Sequence, residues 1–350
     1  MRRFGRALIA SALTVTVVAG TAGWATAGAQ QAVTGPPPGS AAWRADTALG
    51  RPLPDPASAT PREVALFFAG LSEQEQRTLA RRHPEVVGNL DGVPVHLRYE
   101  ANRRAVANSH DPRFARLAGP GRQILAFDPR GRGQVAQVYG ELDGAAHVAV
   151  VVPGSDIDAD TFDRPTDPYG TPAGMASALR GATRGATAVI AWAGYTTPVG
   201  VGLDAATGKL AEAGAERLTR LTEGLDAVGA PDPVLFCHSY GSVVCGLAAE
   251  DTDASDIVAL GSPGMRADTV ADLRTEARVW AAKDPSDWID DVPHVEFAGL
   301  GHGADPTAPS FGARRVPAGD ARGHTGYFAP GTQSLAAFAA IATGETGEVR

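Results

Sequence analysis

Three residue types able to form one catalytic unit occur in order along this chain. Ser239 lies in Cys237-His238-Ser239-Tyr240-Gly241, Asp287 in Asp284-Pro285-Ser286-Asp287-Trp288-Ile289, and His324 in Gly323-His324-Thr325-Gly326. A serine hydroxyl is a poor nucleophile until an imidazole takes its proton, and the imidazole needs a carboxylate to orient it. Ser239 is therefore expected as nucleophile, His324 as general base and then acid, and Asp287 as orienter. Small residues two before and two after the serine suit a tight strand-to-helix turn, where the two backbones nearly touch. Gly241 fits, and Cys237 replaces the usual first glycine. Such a motif alone is frequent by chance; the acid and histidine downstream give it weight.

Each role has a rival. Asp284 competes with Asp287, and either could be a solvated turn aspartate or a helix N-cap. His302, in Gly301-His302-Gly303, precedes the expected last strand and is assigned to the rim of the site or to loop structure. His238 is expected to point away from the catalytic side. The oxyanion donors are expected to be the N–H of Tyr240 and that of Gly154 or Ser155, since Pro153 has none. Trp192, Tyr195, Tyr240, Trp288 and Phe328 are candidates to line an acyl pocket or to be plain core. Cys237 and Cys245 are the only cysteines; on a helix opening near Tyr240, Cys245 faces the strand end that carries Cys237. They form either a disulfide or two small buried thiols.

The elements that must position these residues are strands and helices in alternation. Continuous apolar runs at 146–152, 186–192, 233–236, 256–260 and 278–282 read as strands buried on both faces, with a helix over 209–228 among the intervening segments. A hairpin is expected from 124–127 and 135–139, and a last strand near 314–316. This predicts a mainly parallel sheet with helices on both faces, and Ser239 at the carboxyl end of a central strand. Ahead of it, Thr60-Pro61-Arg62-Glu63 and Ser72-Glu73-Gln74-Glu75 are capping boxes, and a third helix is expected over 95–108.

At 350 residues with 44% hydrophobic content, the chain can bury a large core. Its net charge of −8 and dispersed arginines, with lysine only at 209 and 283, exclude a nucleic-acid-binding stripe. Arg2, Arg3 and Arg6, an apolar stretch over 7–18, and Ala25-Thr26-Ala27 or Ala27-Gly28-Ala29 read as a cleaved signal peptide, predicting a secreted product with no membrane span after cleavage. The expected divisions are a signal peptide at 1–29, a flexible Pro-rich linker at 30–58, a helical region at 59–118 and the main domain at 119–345. Asp156, Asp158, Asp160 and Asp167 fall at EF-hand-like positions, but Thr161 stands where the loop needs glycine, so neither a metal nor a cofactor is expected. With Asp163, these residues are expected to solvate a mobile loop above the site.

From about residue 60 onward the chain resembles a bacterial, often exported α/β-hydrolase family catalogued as a domain of unknown function. The likeness rests on Asn89-Leu90-Asp91-Gly92-Val93-Pro94, Ala101-Asn102-Arg103, Val152-Pro153-Gly154-Ser155, Trp192-Ala193-Gly194-Tyr195, Cys237-His238-Ser239-Tyr240-Gly241-Ser242, Gly261-Ser262-Pro263-Gly264, Gly299-Leu300-Gly301-His302-Gly303 and Gly323-His324-Thr325-Gly326-Tyr327. The resemblance implies the α/β-hydrolase fold and a Ser-His-Asp hydrolase at Ser239, His324 and Asp287, with no substrate attached. The sequence reading is a secreted carboxylic ester hydrolase acting on a small-molecule or lipid-like ester. An amidase or peptidase using the same triad, and a non-catalytic binding module, are the alternatives.

Overall fold

The computed structural model describes residues 30–349; the expected signal peptide at 1–29 lies outside them. Eight strands form one sheet in the order β1-β2-β4-β3-β5-β6-β7-β10. They are β1 Gln123–Asp128, β2 Gln134–Tyr139, β3 His147–Val152, β4 Thr187–Ala193, β5 Val234–His238, β6 Asp256–Leu260, β7 Arg278–Ala282 and β10 Arg314–Arg315. The hairpin β1–β2 and the β2–β4 pair are antiparallel, and every other pairing is parallel. A separate two-stranded hairpin joins β8 Glu296–Phe297 to β9 Leu300–Gly301.

The apolar runs become strands because alternate side chains reach two different cores. Ala149, Val151, Val189, Ala191, Phe236, Val258 and Leu260 pack with helices Pro172–Ala182 and Gln333–Ala342 on one face. Val148, Val150, Ile190, Leu235, Cys237, Ile257 and Ala259 meet helices Lys209–Ala227 and Gly241–Ala248 on the other. With both faces covered, no polar alternation remains for a strand to show.

The helical lead has a core of its own around Val64, Phe68, Leu79, Val86, Leu90 and Leu97, and both expected capping boxes form. It also closes the free edge of the sheet. Asn89 exchanges two hydrogen bonds with the Phe127 backbone, at 2.7 and 3.0 Å, while Arg98 Nε donates to Leu125 O and Asn102 Nδ2 to Ile124 O, each at 3.0 Å. An exposed strand edge is a template for unwanted pairing, and these side chains occupy it.

Residues 30–58 depart from the expected flexible linker. Trp43 is fully buried in the helical core, with Nε1 donating to Pro54 O at 2.7 Å. The Val33 N–H donates to Thr196 Oγ1 and the Gln30 N–H to Asp204 Oδ2, each at 3.0 Å. Proline content hid the one aromatic that gives this stretch something to bury, and it runs over the body as a packed strap.

Candidate active site

Ser239 sits between the end of β5 and the helix Gly241–Ala248, with φ +54°. A non-glycine residue in that region costs about 1–3 kcal/mol and persists only when its surroundings impose it. The Ser239 N–H donates to Leu260 O at 3.0 Å, tying the turn to β6. Ser242 Oγ donates to Ser239 O at 2.6 Å and lies 2.6 Å from Ser262 Oγ, which is the Ser262 of the glycine-rich motif after β6. A Cβ at Gly241 would lie 2.4 Å from Val152 O, so only glycine lets the helix approach β3. Cys237 and Cys245 are joined by a disulfide, with Cα atoms 6.4 Å apart. Cys237 thereby clamps the strand end to the first turns of the helix.

His324 reaches the site from the loop after β10. Its Nδ1 lies 2.8 Å from Asp287 Oδ1. A carboxylate only accepts, so Nδ1 carries the proton and Nε2 of the neutral ring remains the basic nitrogen. The Asp287 side chain is fully buried and also accepts from Tyr327 Oη at 2.6 Å and the Ile289 N–H at 2.9 Å. Burial pushes this carboxyl up, but the hydrogen bond and charge of His324, with the Tyr327 and Ile289 donors, outweigh it and hold it below the ordinary value. Asp284 does not touch His324. It accepts from the Ser286 N–H at 2.8 Å, from Ser286 Oγ and from the Gly323 N–H at 3.2 Å, so it anchors the residue before His324. The two aspartates thus divide the work: one meets the imidazole, the other holds its loop.

His238 points towards the site, not away from it. Its ring lies 4.7 Å from that of His324, and its Nε2 donates to His324 O at 2.7 Å. As the last residue of β5, His238 follows the strand alternation onto the face of Phe236, where its ring lies 6.3 Å from that of Tyr327, and the 323–328 loop lies over that same face and brings His324 beside it. Burial, reinforced by the His324 charge, lowers the His238 pKa to about 3. It stays a neutral donor supporting the His324 backbone.

Gly154 lies directly against the serine: a Cβ there would be 2.9 Å from Ser239 Oγ and 3.1 Å from the Tyr240 nitrogen. Tyr195 Oη donates to Pro153 O at 2.7 Å and fixes the strand-end loop. The neighbouring Asp156 N–H is already committed to Pro198 O at 2.8 Å. Tyr240, Gly154 and Ser155 line one cavity together with Ser239 and His324.

That cavity encloses about 550 Å³. Of the five aromatics considered for its wall, Tyr240 and Trp288 line it, and Trp288 packs 4.5 Å from the His324 ring. Trp192 and Tyr195 stack on each other in the sheet's helix-covered core, and Phe328 packs against Phe236 in the opposite core. Further apolar wall comes from Ile157, Val201, Ile289, Val292, Val295, Phe297 and Leu300, and Asp156, Arg164 and Asp167 add charge to it. Those from 289 to 300 were missed because segment 288–301 has no long periodic run; the apolar spacing within Val292, Val295, Phe297 and Leu300 was the available signal. His302 is buried at the rim as expected, with Nε2 donating to Ala205 O at 2.7 Å.

The acidic loop is less free than expected. Asp158 pairs with Arg132 at 3.0 Å, Asp163 with Arg116 at 2.9 Å and with Arg122, and Asp160 with Arg116 at 3.2 Å. Asp290, His294 and Asp305 form a three-residue cluster with metal-ligand spacing, but Lys283 Nζ already bridges Asp290 and Asp305. The lysine supplies the cation there.

Residues 128–297 match a family model described as alpha/beta hydrolase, a span holding Ser239 and Asp287. The chain has the α/β-hydrolase fold. An uncharacterized protein found in two strains of Mycobacterium tuberculosis is 28% identical over 379 aligned residues, covering 83% of this chain and 57% of its own length. The chain thus spans little more than half the length of these curated relatives. Similar solved structures include a predicted CIB-like hydrolase from Thermoplasma acidophilum, at 15% identity and a TM-score of 0.37, covering 65% of this chain and 98% of its own. Another is an a/b serine hydrolase without lid from Xanthomonas campestris, at 21% identity and a TM-score of 0.31, covering 49% and 74%. In the hydrolase fold of this chain, His324 lies beyond the matched span and joins the site through contacts to Asp287 and His238.

The two aspartates separate by substitution. Asp287→Asn is expected to lower kcat on a soluble ester by about 10⁴-fold, and Asp284→Asn by on the order of tenfold through a loosened loop; the reverse ranking contradicts the assignment. His238 yields a stability prediction. The unfolded chain protonates this histidine below about pH 6.5, whereas the folded protein does not until about pH 3. The unfolded state therefore binds more protons in that window, and stability falls as the pH drops through it. Urea unfolding of His238→Gln, which keeps a donor and loses the titration, should show a shallower decline between pH 6.5 and 4; parallel curves refute the account.

Proposed function

We propose that this protein is a secreted serine hydrolase cleaving carboxylic esters through Ser239, His324 and Asp287. The observation that carries the reading is His324, held by buried Asp287 at 2.8 Å and lining the same cavity as a serine on a positive-φ turn. In the proposed reaction His324 Nε2 takes the Ser239 proton as Oγ attacks the carbonyl carbon. The developing oxyanion is received by the N–H groups of Tyr240 and Gly154, with Ser155 beside them. Collapse of the tetrahedral intermediate breaks the bond to the alcohol oxygen, which takes the proton from His324, and leaves an acyl group on Ser239. Water, deprotonated by the same imidazole, attacks the acyl carbon and returns the serine and a carboxylic acid. Asp287 stays ionised throughout and stabilises the imidazolium.

The cavity wall suits an acyl chain. Val201, Ile289, Val292, Val295, Phe297 and Leu300 offer it apolar contact along one side of the cavity. The disulfide in the nucleophile turn supports an oxidising, extracytoplasmic location. Among the described residues no helix is long and apolar enough to cross a membrane.

A fluorophosphonate probe tests the reading. It should label the folded protein once, and Ser239→Ala should abolish the label. Labelling that survives this substitution, or no labelling of the parent, refutes it.

A further inference from the structure

Among the described residues, eight large apolar side chains are strongly exposed, and seven of them gather around one opening. Val199, Val201 and Leu203 stand on one segment, and Trp288, Val295, Phe297 and Leu300 on another. Five of the seven, Val201, Trp288, Val295, Phe297 and Leu300, also line the cavity that holds Ser239. Only Leu66, on the helical lead, lies elsewhere. The two segments are joined by a bridge between Thr207 and Leu300, and Arg266 Nη1 donates to Gly301 O at 2.9 Å. The tip of the β8–β9 hairpin turns through Ala298 and Gly299, both at positive φ, and sets Phe297 and Leu300 on either side of the turn. Phe297 is 81% exposed and Val201 75%. Soluble proteins rarely leave a contiguous apolar surface open unless something docks on it.

We infer that this rim seats the enzyme on an assembled, electrically neutral lipid surface, from which ester-bearing chains enter the cavity. The inference rests on the ester-hydrolase reading for its substrate, but not for the docking itself. The occupant follows from two features. The rim is continuous with the apolar wall leading to Ser239, so whatever covers it must deliver an acyl chain into the cavity. The charges beside it are Asp167 and the exposed Asp156, Asp290, Asp291 and Glu296, while each nearby cation has a carboxylate partner: Arg266 with Glu296 at 3.2 Å, Lys283 with Asp290, and Arg164 with Asp167 at 3.9 Å. An anionic bilayer meets carboxylates there, in a chain of net charge −8. A zwitterionic or uncharged surface meets the apolar ring without that net repulsion.

Co-sedimentation of the full chain carrying Ser239→Ala with vesicles separates docking from turnover. Binding to phosphatidylcholine vesicles is expected, weakened at least tenfold when one third of the lipid is phosphatidylglycerol. Val199→Asp with Leu203→Asp, both outside the cavity wall, should cut binding at least tenfold. In the Ser239 background the same pair should leave hydrolysis of p-nitrophenyl acetate unchanged. No vesicle binding, tighter binding to the anionic vesicles, or undiminished binding by the double variant overturns the proposal. So does a dimer in solution that the double variant abolishes, which would assign the rim to a second copy. Vesicle binding without fluorophosphonate labelling supports the surface while removing the hydrolase reading; labelling without binding does the reverse.

Discussion

The turn at Ser239 is the constraint on which the rest of the site depends. A β strand ending at His238 has to become a helix by Gly241, and the turn between them puts Ser239 at φ +54°. The surroundings impose it from every side. Leu260 O holds the amide, Ser242 holds the carbonyl, and glycine at 241 lets the helix lie against Val152 O. The Cys237–Cys245 disulfide closes an eight-residue separation across the turn. A bridge over so short a loop stabilises by about 2–3 kcal/mol on the chain-entropy view, comparable with the cost of the strained residue.

A second set of contacts solves a harder problem, because His324 lies in a loop with no regular structure of its own. Its ring is held by Asp287, its carbonyl by His238 and the preceding amide by Asp284. Tyr327 joins these supports, donating to Asp287 and accepting from the Asp284 N–H at 3.0 Å. A Cβ at Gly261 would sit 2.9 Å from Asp287 Oδ2 and 3.2 Å from the His324 ring, so the glycine after β6 makes room for the Asp287–His324 pair. The turn at Ser239 and the His324 loop share the end of β6, through Leu260 O and the Gly261 that follows it.

The parts legible in the sequence were those with local signals. Doubly buried strands show as unbroken apolar runs, capping boxes show as Thr60/Glu63 and Ser72/Glu75, and the tight strand-to-helix turn shows as small residues around Ser239. The choice of Asp287 over Asp284 had weaker grounds, since both precede turns, and only the three-dimensional path of the 323–328 loop separates them. His238, Tyr327 and Ser262 act through contacts distant in sequence, for which a single chain offers no pattern. Trp43 was concealed by its Pro-rich neighbours. The apolar rim was concealed by irregular backbone, because neither a helical nor a strand period organises residues 199–203 or 288–300.

The central claim is that Ser239 carries the acyl group during turnover. Acid quenching of the protein while it hydrolyses p-nitrophenyl butyrate, followed by peptide mass analysis, tests this directly. The account predicts a butyryl adduct on the peptide containing Ser239, formed in step with a burst of p-nitrophenolate equal to the enzyme present. Steady hydrolysis with no adduct, or an adduct on another residue, contradicts it.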